Sequence, residues 1–276
     1  AEENLLKAKK IHRENVGRFH PYYSKATKQL AILKWKQSQL KESLSYFDET
    51  FENYFKQIDA YFLALSEEEK ARFYNQRLKV SFEQFNSFAV ANLAENPGLT
   101  STIYNYQLST KGLIMYATAR VREGILNSED EELIEMYEQW VSQKEQLSKL
   151  FSGNDQDLET RNAKIDQLIA SSNELEKELS KRSADFAQTF AKSEYTWKDV
   201  QKKLKENEAA IEIIRFRNFI PEDGGKFDKQ VNYAALIVKK STKDHPELVL
   251  LTNGAKMDTR FLANYRNAIR YKVNEN

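Results

Sequence analysis

Histidines are the first candidates for acid–base or metal chemistry in this chain, because its 276 residues include three histidines and no cysteine. His12 lies among charged residues, with no second histidine or acidic pair at the spacing of a metal site. His20 precedes Pro21, and we interpret this pair as the start of a helix. His245 precedes Pro246 in a polar loop and has no nucleophile to serve. The sequence therefore predicts no catalytic residue, no metal ligand and no cofactor-binding residue.

Three further motifs have only the composition of a site. The acidic run 129–132 resembles an ion site, but a helix that begins there explains it better, because acidic side chains favour the positive end of a helix. The run 223–225, Asp-Gly-Gly, lacks the lysine and the following helix of a phosphate-binding loop. Phe82, Phe85 and Phe88 could line a peptide groove, yet their helical spacing is more typical of a core face.

Overall composition excludes several classes of partner. The chain has 42 basic and 41 acidic side chains, which are interspersed, so it offers no net field to nucleic acid or an anionic membrane. No apolar run approaches the roughly 18 residues of a membrane span, and the first residues do not form a signal peptide. The absence of cysteine fits a reducing compartment. We expect a cytoplasmic protein without cofactors that binds other proteins.

Helical periodicity dominates the N-terminal part of the chain. Residues 2–16 form a predicted amphipathic helix that Gly17 ends through a left-handed cap. A second helix follows His20-Pro21, and the short turn 37–39 leads into a third helix with apolar residues at Leu40, Leu44, Phe47, Phe51 and Phe55. These patterns predict a helical hairpin.

The middle of the chain continues as helices. Ser66 and Glu69 form a predicted capping box that opens a helix through Leu93, which Asn96-Pro97-Gly98 ends. A further helix is predicted from about Thr100 to Leu126, and Asn127-Ser128 then caps the next one.

Two long helices follow with matching seams. Their apolar positions alternate at three and four residues, which predicts an antiparallel, coiled-coil-like hairpin. The seam positions are Leu133, Tyr137, Trp140, Lys144, Leu147 and Phe151, against Ile165, Leu168, Ser172, Leu175, Leu179, Arg182 and Phe186. We interpret the polar breaks at Lys144, Ser172 and Arg182 as tolerated positions.

The chain changes character between residues 195 and 238. Thr196 caps a short predicted helix, and apolar runs at 209–218, 231–240 and 248–251 predict three strands. A last helix from about Asp258 presents one apolar face suited to covering the sheet, formed by Phe261, Leu262, Tyr265, Ala268 and Ile269. The predicted fold class is mainly α, with a small C-terminal α/β portion of about three strands and a covering helix.

The N-terminal helices resemble the 42-residue form of the tetratricopeptide repeat (TPR). The resemblance rests on residues 1–17, on the segment 20–26 with its His-Pro pair, and on Leu30-Ala31-Ile32-Leu33. Ser43 and Thr50 depart from it, since they occupy positions where the family has alanine. The matching segment resembles the last repeat of a TPR array. Either the helices that follow cap this array, or further repeats precede it.

Residues 66–252 resemble the region that joins TPR arrays to CHAT domains, the caspase-like domains of bacterial repeat proteins. The matching pieces are Asn86-Ser87-Phe88-Ala89, Lys111-Gly112-Leu113, Leu175-Glu176-Lys177-Glu178-Leu179 with Arg182-Ser183, Thr196-Trp197-Lys198-Asp199-Val200, Asn207-Glu208-Ala209-Ala210-Ile211-Glu212 and Tyr233-Ala234-Ala235-Leu236-Ile237-Val238. The resemblance implies a cysteine peptidase whose histidine lies in a His-Gly step and whose cysteine lies in an Ala-Cys step. Neither step occurs here, so the family's catalytic pair has no counterpart in this chain.

The resulting expectation is a bacterial protein-interaction and regulatory segment that is not itself an enzyme. We expect TPR-like helices at 1–64, a helical linker at 65–194 with a long hairpin at 130–192, and the incomplete N-terminal portion of a CHAT domain at 195–276. Its partners would be proteins bound by the TPR-like helices, with pairing at the exposed sheet edge. A self-standing, non-catalytic adaptor is the alternative, and a peptidase that uses His245 is the third and least favoured hypothesis.

Overall fold

The computed structural model describes residues 1–18, 20–61, 66–111, 123–152, 158–187, 195–222, 225–251 and 253–272. Helices make up most of it, and a three-stranded antiparallel sheet lies near the C-terminus. The predicted fold class, mainly α with a small C-terminal α/β portion, is confirmed.

Three helices form the N-terminal part: α1 (Glu2–Val16), α2 (Pro21–Lys36) and α3 (Leu40–Tyr61). His20 begins α2 as predicted, because its Nδ1 accepts a hydrogen bond of 3.2 Å from the Tyr22 amide. Gly17 has φ of 89° and ψ of 162°. The positive φ suits glycine, but the extended ψ shows that the predicted left-handed cap is wrong.

Small polar side chains fill the contact between α2 and α3. The Ser43 hydroxyl donates to the carbonyl of Ala31 at 2.8 Å, and the Thr50 hydroxyl lies 2.9 Å from that of Thr27. Both residues are fully buried. The two departures from alanine are therefore small hydroxyls that satisfy their hydrogen bonds between the helices.

The next helical segment is interrupted where the sequence predicts one continuous helix. Its first part, α4 (Glu67–Phe73), begins at the predicted capping box of Ser66 and Glu69. A π-helical turn, Tyr74–Leu78, then leads into α5 (Lys79–Ala91), and α6 spans Leu99–Thr110. The sequence predicts a helix from about Thr100 to Leu126. Residues 112–122 of it lie outside the described residues, and residues 123–126 are helical.

The long hairpin consists of α7 (Glu131–Ser152) and α8 (Leu158–Ala187). Hydrogen bonds from Arg182 to Asp130 and from Ser171 to Gln143 show that the two helices run antiparallel, as predicted. The helix cap differs from the prediction, because Asp130 Oδ1, not Ser128, accepts the hydrogen bond from the Leu133 amide at 3.1 Å.

The C-terminal part begins with α9 (Trp197–Lys203), which the Thr196–Asp199 capping box opens. Strands β1 (Ala209–Ile220), β2 (Lys226–Lys239) and β3 (Glu247–Leu251) follow in the spatial order β1-β2-β3. The register pairs Ile213 with Ala235 and Ala235 with Val249. A bulge between Arg217 and Phe219 interrupts the pairing of β1 with β2.

The last helical segment consists of α10 (Gly254–Lys256), a π-helical turn (Met257–Phe261) and α11 (Leu262–Lys272). Its start lies against β2, where a Cβ at Gly254 would come within 3.2 Å of the Val231 carbonyl oxygen. Its apolar face differs from the prediction, because four of the five named residues remain exposed by 38–64%: Phe261, Leu262, Tyr265 and Ile269.

One hydrophobic core joins the helices to the sheet. It combines residues of α2 to α6 with Trp197 and with inward-facing residues of β1 and β2. Phe82, Phe85 and Phe88 are buried in it, and Phe82 stacks on Phe51 with ring centroids 4.7 Å apart. The interpretation of this aromatic stripe as core is confirmed.

Candidate functional site: the contact of α5 with the sheet

The three histidines do not form a common site. The rings of His12 and His20 lie 5.6 Å and 4.9 Å from that of Tyr22, whereas His245 lies in the turn between β2 and β3. In the ranges that the structure describes, no group of three or more histidine or acidic side chains could hold a metal ion. Position 225 of the glycine-rich loop is described, while 223 and 224 are not. The acidic run contributes Asp130 as a helix cap.

The candidate functional site is instead the contact between α5 and β1. Ser87 of α5 reaches the β1 bulge, where its hydroxyl donates to the Arg217 carbonyl at 3.0 Å and accepts from the Phe219 amide at 2.9 Å. These two backbone groups lie on either side of the bulge, and one side chain satisfies both of them. The bulge therefore ties the strand to one point on the helix.

A buried carboxylate lies one helical turn before Ser87. Glu83 is only 3% exposed, and its Oε2 lies 2.6 Å from a guanidinium nitrogen of Arg217. Arg215 approaches the other oxygen at 3.9 Å. The guanidinium of Arg217 also lies over the ring of Phe227, 4.3 Å from its centroid. Two alternate residues of β1 thus hold α5 by charge.

The same ion-pair network extends to the C-terminal segment. Arg215 donates two hydrogen bonds to the Asp258 carboxylate, at 2.7 Å and 2.8 Å, and the Tyr233 hydroxyl donates a third at 2.9 Å. The bonds from Arg215, followed by that from Tyr233, lower the pKa of Asp258 to about 2 despite some burial. Arg215 therefore connects α5 to the turn that precedes α11.

A second contact holds the long hairpin against α4. Glu69 and Lys70, one helical turn from the start of α4, face Lys177 and Glu176 of α8, with nitrogen–oxygen distances of 3.3 Å and 3.8 Å. Lys144 of α7 approaches Glu176 at 3.6 Å, so this polar break in the seam faces a carboxylate. The hydrogen bond to Glu69 raises the pKa of Lys177. Both contacts therefore pair charges between elements, and the one between α5 and β1 also has an apolar core.

The outer face of the sheet carries apolar residues that remain exposed. Ile211 and Ile213 of β1 are 56% and 52% exposed, and Val249 of β3 is 39% exposed. Their partners in β2, Ile237 and Ala235, point to the same face because directly paired residues share a face. The inner face packs on α5, and the Tyr233 end of the outer face contacts the last helical segment. The part of the outer face around Ile211 and Ile213 remains exposed in the described structure.

Sequence reasoning found the elements but missed the residues that join them. Glu83, Arg215 and Arg217 are not among the predicted site residues, although a charged pair in an otherwise apolar strand is a signal that can be read from sequence. Ser87 lies inside one of the quoted CHAT-like pieces, but nothing in the sequence indicates that it meets a bulge.

Comparison with known proteins identifies no relative of this chain. No protein-family model matches the chain, and no curated protein or solved structure is significantly similar to it. Among the helices of the described residues, none is both long and apolar enough to cross a membrane.

Proposed function

We propose that this chain is a cytoplasmic protein-interaction and regulatory segment of a bacterial TPR–CHAT protein. The observation that carries the proposal is the segment formed by α4, the π-helical turn and α5. It contacts the long hairpin at Glu69 and Lys70, and it contacts the sheet at Glu83 and Ser87.

This segment is suited to pass a displacement of the hairpin to the sheet. Its 25 residues, 67–91, correspond to a rod about 37 Å long, at 1.5 Å per residue. π-Helical turns occur frequently at functional positions, and this one lies between the two contacts. A partner that moved the hairpin would act on α4 and, through α5, on the bulge of β1.

The peptidase part of the proposal rests on the resemblance to CHAT domains. In that family the catalytic histidine and cysteine would follow the third strand, in His-Gly and Ala-Cys steps. The test is the encoding frame beyond codon 276. A continuation of a few hundred residues that contains both steps would support a peptidase parent, and a stop codon at 277 would contradict it.

A non-catalytic adaptor is the second candidate function. It is favoured by the sheet itself, since three consecutive antiparallel strands already pack one face on α5 and on neighbouring helices of the described chain. Peptidase activity in the purified chain that the substitution His245→Ala abolished would contradict both candidates. Casein at neutral pH is a sufficient substrate for this assay, and His12→Ala is the matched control.

A further inference from the structure

Helix α2 has an unusual charge pattern. It carries four lysines and no acidic residue. Lys34 is paired, since its ammonium lies 2.6 Å from Glu2. The other three, Lys25, Lys28 and Lys36, have no acidic partner within 4.0 Å anywhere in the described ranges, whereas lysines and arginines of neighbouring elements do.

The unpaired lysines lie on one side of the helix together with an exposed aromatic ring. Positions 22, 25, 29 and 36 are spaced by three, four and seven residues, which places them on one face, and Lys28, three residues after Lys25, lies at the edge of that face. Tyr22 is 59% exposed, and the rings of His12 and His20 lie beside it. We call the residues Tyr22, Lys25, Lys28, Gln29 and Lys36 the α2 stripe.

Lys28 is the member of the α2 stripe whose charged form is destabilised by its surroundings. It is half-buried, and burial followed by the positive charge of Lys25 lowers its pKa. A charged amine that loses water and gains no counter-ion costs free energy, which an approaching carboxylate would recover. The structure thus leaves a cationic position that an anion would stabilise.

We propose that the α2 stripe binds an acidic segment of a partner protein. The stripe runs over 15 residues, 22–36, or about 21 Å of helix, which matches an extended segment of about six residues. Carboxylates of the partner would pair with Lys25, Lys28 and Lys36, and an apolar side chain would pack on Tyr22, since tyrosine is enriched at protein interfaces.

The charges favour an acidic peptide over a nucleic acid. Nucleic-acid binders neutralise many phosphates, typically about six to ten, whereas the stripe offers three lysines on a chain with 42 basic and 41 acidic residues. An extended peptide needs only a few carboxylates at alternate positions to match them. This inference rests on the proposed function and specifies the chemistry of the partner.

The test is a binding titration with the whole chain and fluorescein-labelled probes. The probes are a peptide of alternating Glu and Ser, a peptide of alternating Lys and Ser, and an oligo(U), each about six residues long. The variants are Lys25→Gln with Lys28→Gln, and, as a control with the same loss of charge, Lys203→Gln with Lys243→Gln. Both control lysines are exposed and unpaired in the described structure.

We expect the acidic peptide to bind, the α2-stripe variant to weaken it at least about fivefold, and the control to change it less than about twofold. Raising sodium chloride from about 50 mM to about 300 mM should also weaken binding to the unmodified chain. If the double variant fails to fold, Lys36→Gln alone, at an exposed position of the α2 stripe, keeps the test decisive, because it should also weaken binding more than the control does.

Three results would overturn the inference: no binding of the acidic peptide, equal losses in both variants, or tighter binding of oligo(U) that competes at the same lysines. These results are distinct from failure of the proposed function, which depends on the encoding frame. A frame that continues with both catalytic steps, alongside a stripe that binds nothing, would remove only the present inference.

Discussion

The hydroxyl of Ser87 accepts a hydrogen bond of 2.9 Å from the backbone amide of Phe219, at the bulge of β1. The same hydroxyl donates to the carbonyl of Arg217, so a single small side chain satisfies one donor and one acceptor of the strand backbone. Helix α5 is therefore attached to the sheet by hydrogen bonds from the Ser87 side chain to the strand backbone, as well as by apolar packing.

Replacing Ser87 with alanine should lower the free energy of unfolding by about 1–3 kcal/mol, because the buried Phe219 amide would lose its acceptor. Urea denaturation of the purified chain measures this change. The matched control is Ser45→Ala on the exposed side of α3, which should alter stability by less than about 0.5 kcal/mol. Equal effects of the two substitutions would contradict the role of Ser87.

The Glu83–Arg217 ion pair should respond asymmetrically to substitution. Arg217→Met would leave a carboxylate that is 3% exposed without its short partner, at a cost of about 3 kcal/mol. Glu83→Gln should cost only about 1 kcal/mol, because Arg215 and Arg217 are 37% and 41% exposed and can be hydrated.

Urea denaturation of both variants tests this asymmetry, and Arg72→Met serves as the control. Arg72 is 57% exposed and pairs with Glu68 on the same helix, so its loss should cost no more than about 0.5 kcal/mol. A larger effect for Glu83→Gln than for Arg217→Met would show that the arginines, and not the carboxylate, are the groups that need compensation.

Glu176 should determine whether the long hairpin stays docked on α4. Glu176→Gln removes the charge that faces both Lys70, which is 1% exposed, and Lys144, and should cost about 3 kcal/mol. Hydrogen exchange should accelerate first in α7 and α8. Glu174→Gln, at a position that is 76% exposed on the same helix, is the control and should leave exchange in the hairpin unchanged. Unchanged exchange in both variants would exclude ionic docking.

The stabilising contribution of Asp258 should depend on pH in the acid range. Hydrogen bonds from Arg215, then from Tyr233, lower its pKa to about 2 in the folded chain, compared with about 3.9 when unfolded. Its contribution is therefore complete above about pH 4 and disappears as the pH falls towards about 2. Since Arg215 is 37% exposed, Asp258→Asn should cost only about 1 kcal/mol at neutral pH.

Thermal or urea unfolding between about pH 7 and about pH 2 checks this dependence. The difference between the unmodified chain and Asp258→Asn should shrink towards acid pH. Asp244→Asn, at an exposed loop position, is the control and should change stability by less than about 0.5 kcal/mol. A constant difference for Asp258→Asn would mean that its carboxylate charge contributes nothing.

The exposed residues on the outer face of the sheet, Ile211, Ile213 and Val249, should promote self-association. Ile213→Lys places a charge at a position that is 52% exposed, so it should reduce association while changing stability by less than about 0.5 kcal/mol. Sedimentation velocity over a range of concentrations measures the effect. Leu126→Lys, at an equally exposed apolar position outside the sheet, is the control. If the unmodified chain remains monomeric over the whole concentration range, the outer face of the sheet does not mediate self-association.

The amino-acid sequence by itself determined the elements and much of their capping. The capping boxes at Ser66 and Thr196, and the positions of the long helices and of the three strands, follow from side-chain type and periodicity, which are local properties of the chain. The buried aromatic stripe at Phe82, Phe85 and Phe88 followed from the same periodicity.

Only the tertiary structure decided which elements meet and through which charges. Glu83 and Arg217 are 134 positions apart in the chain, and no local pattern indicates that they pair. The exposed face of α11 has the same cause, because its apolar spacing predicts burial but cannot indicate whether a surface is within reach. Local sequence sets the periodicity of each helix and strand, whereas long-range packing decides which of their faces lose water.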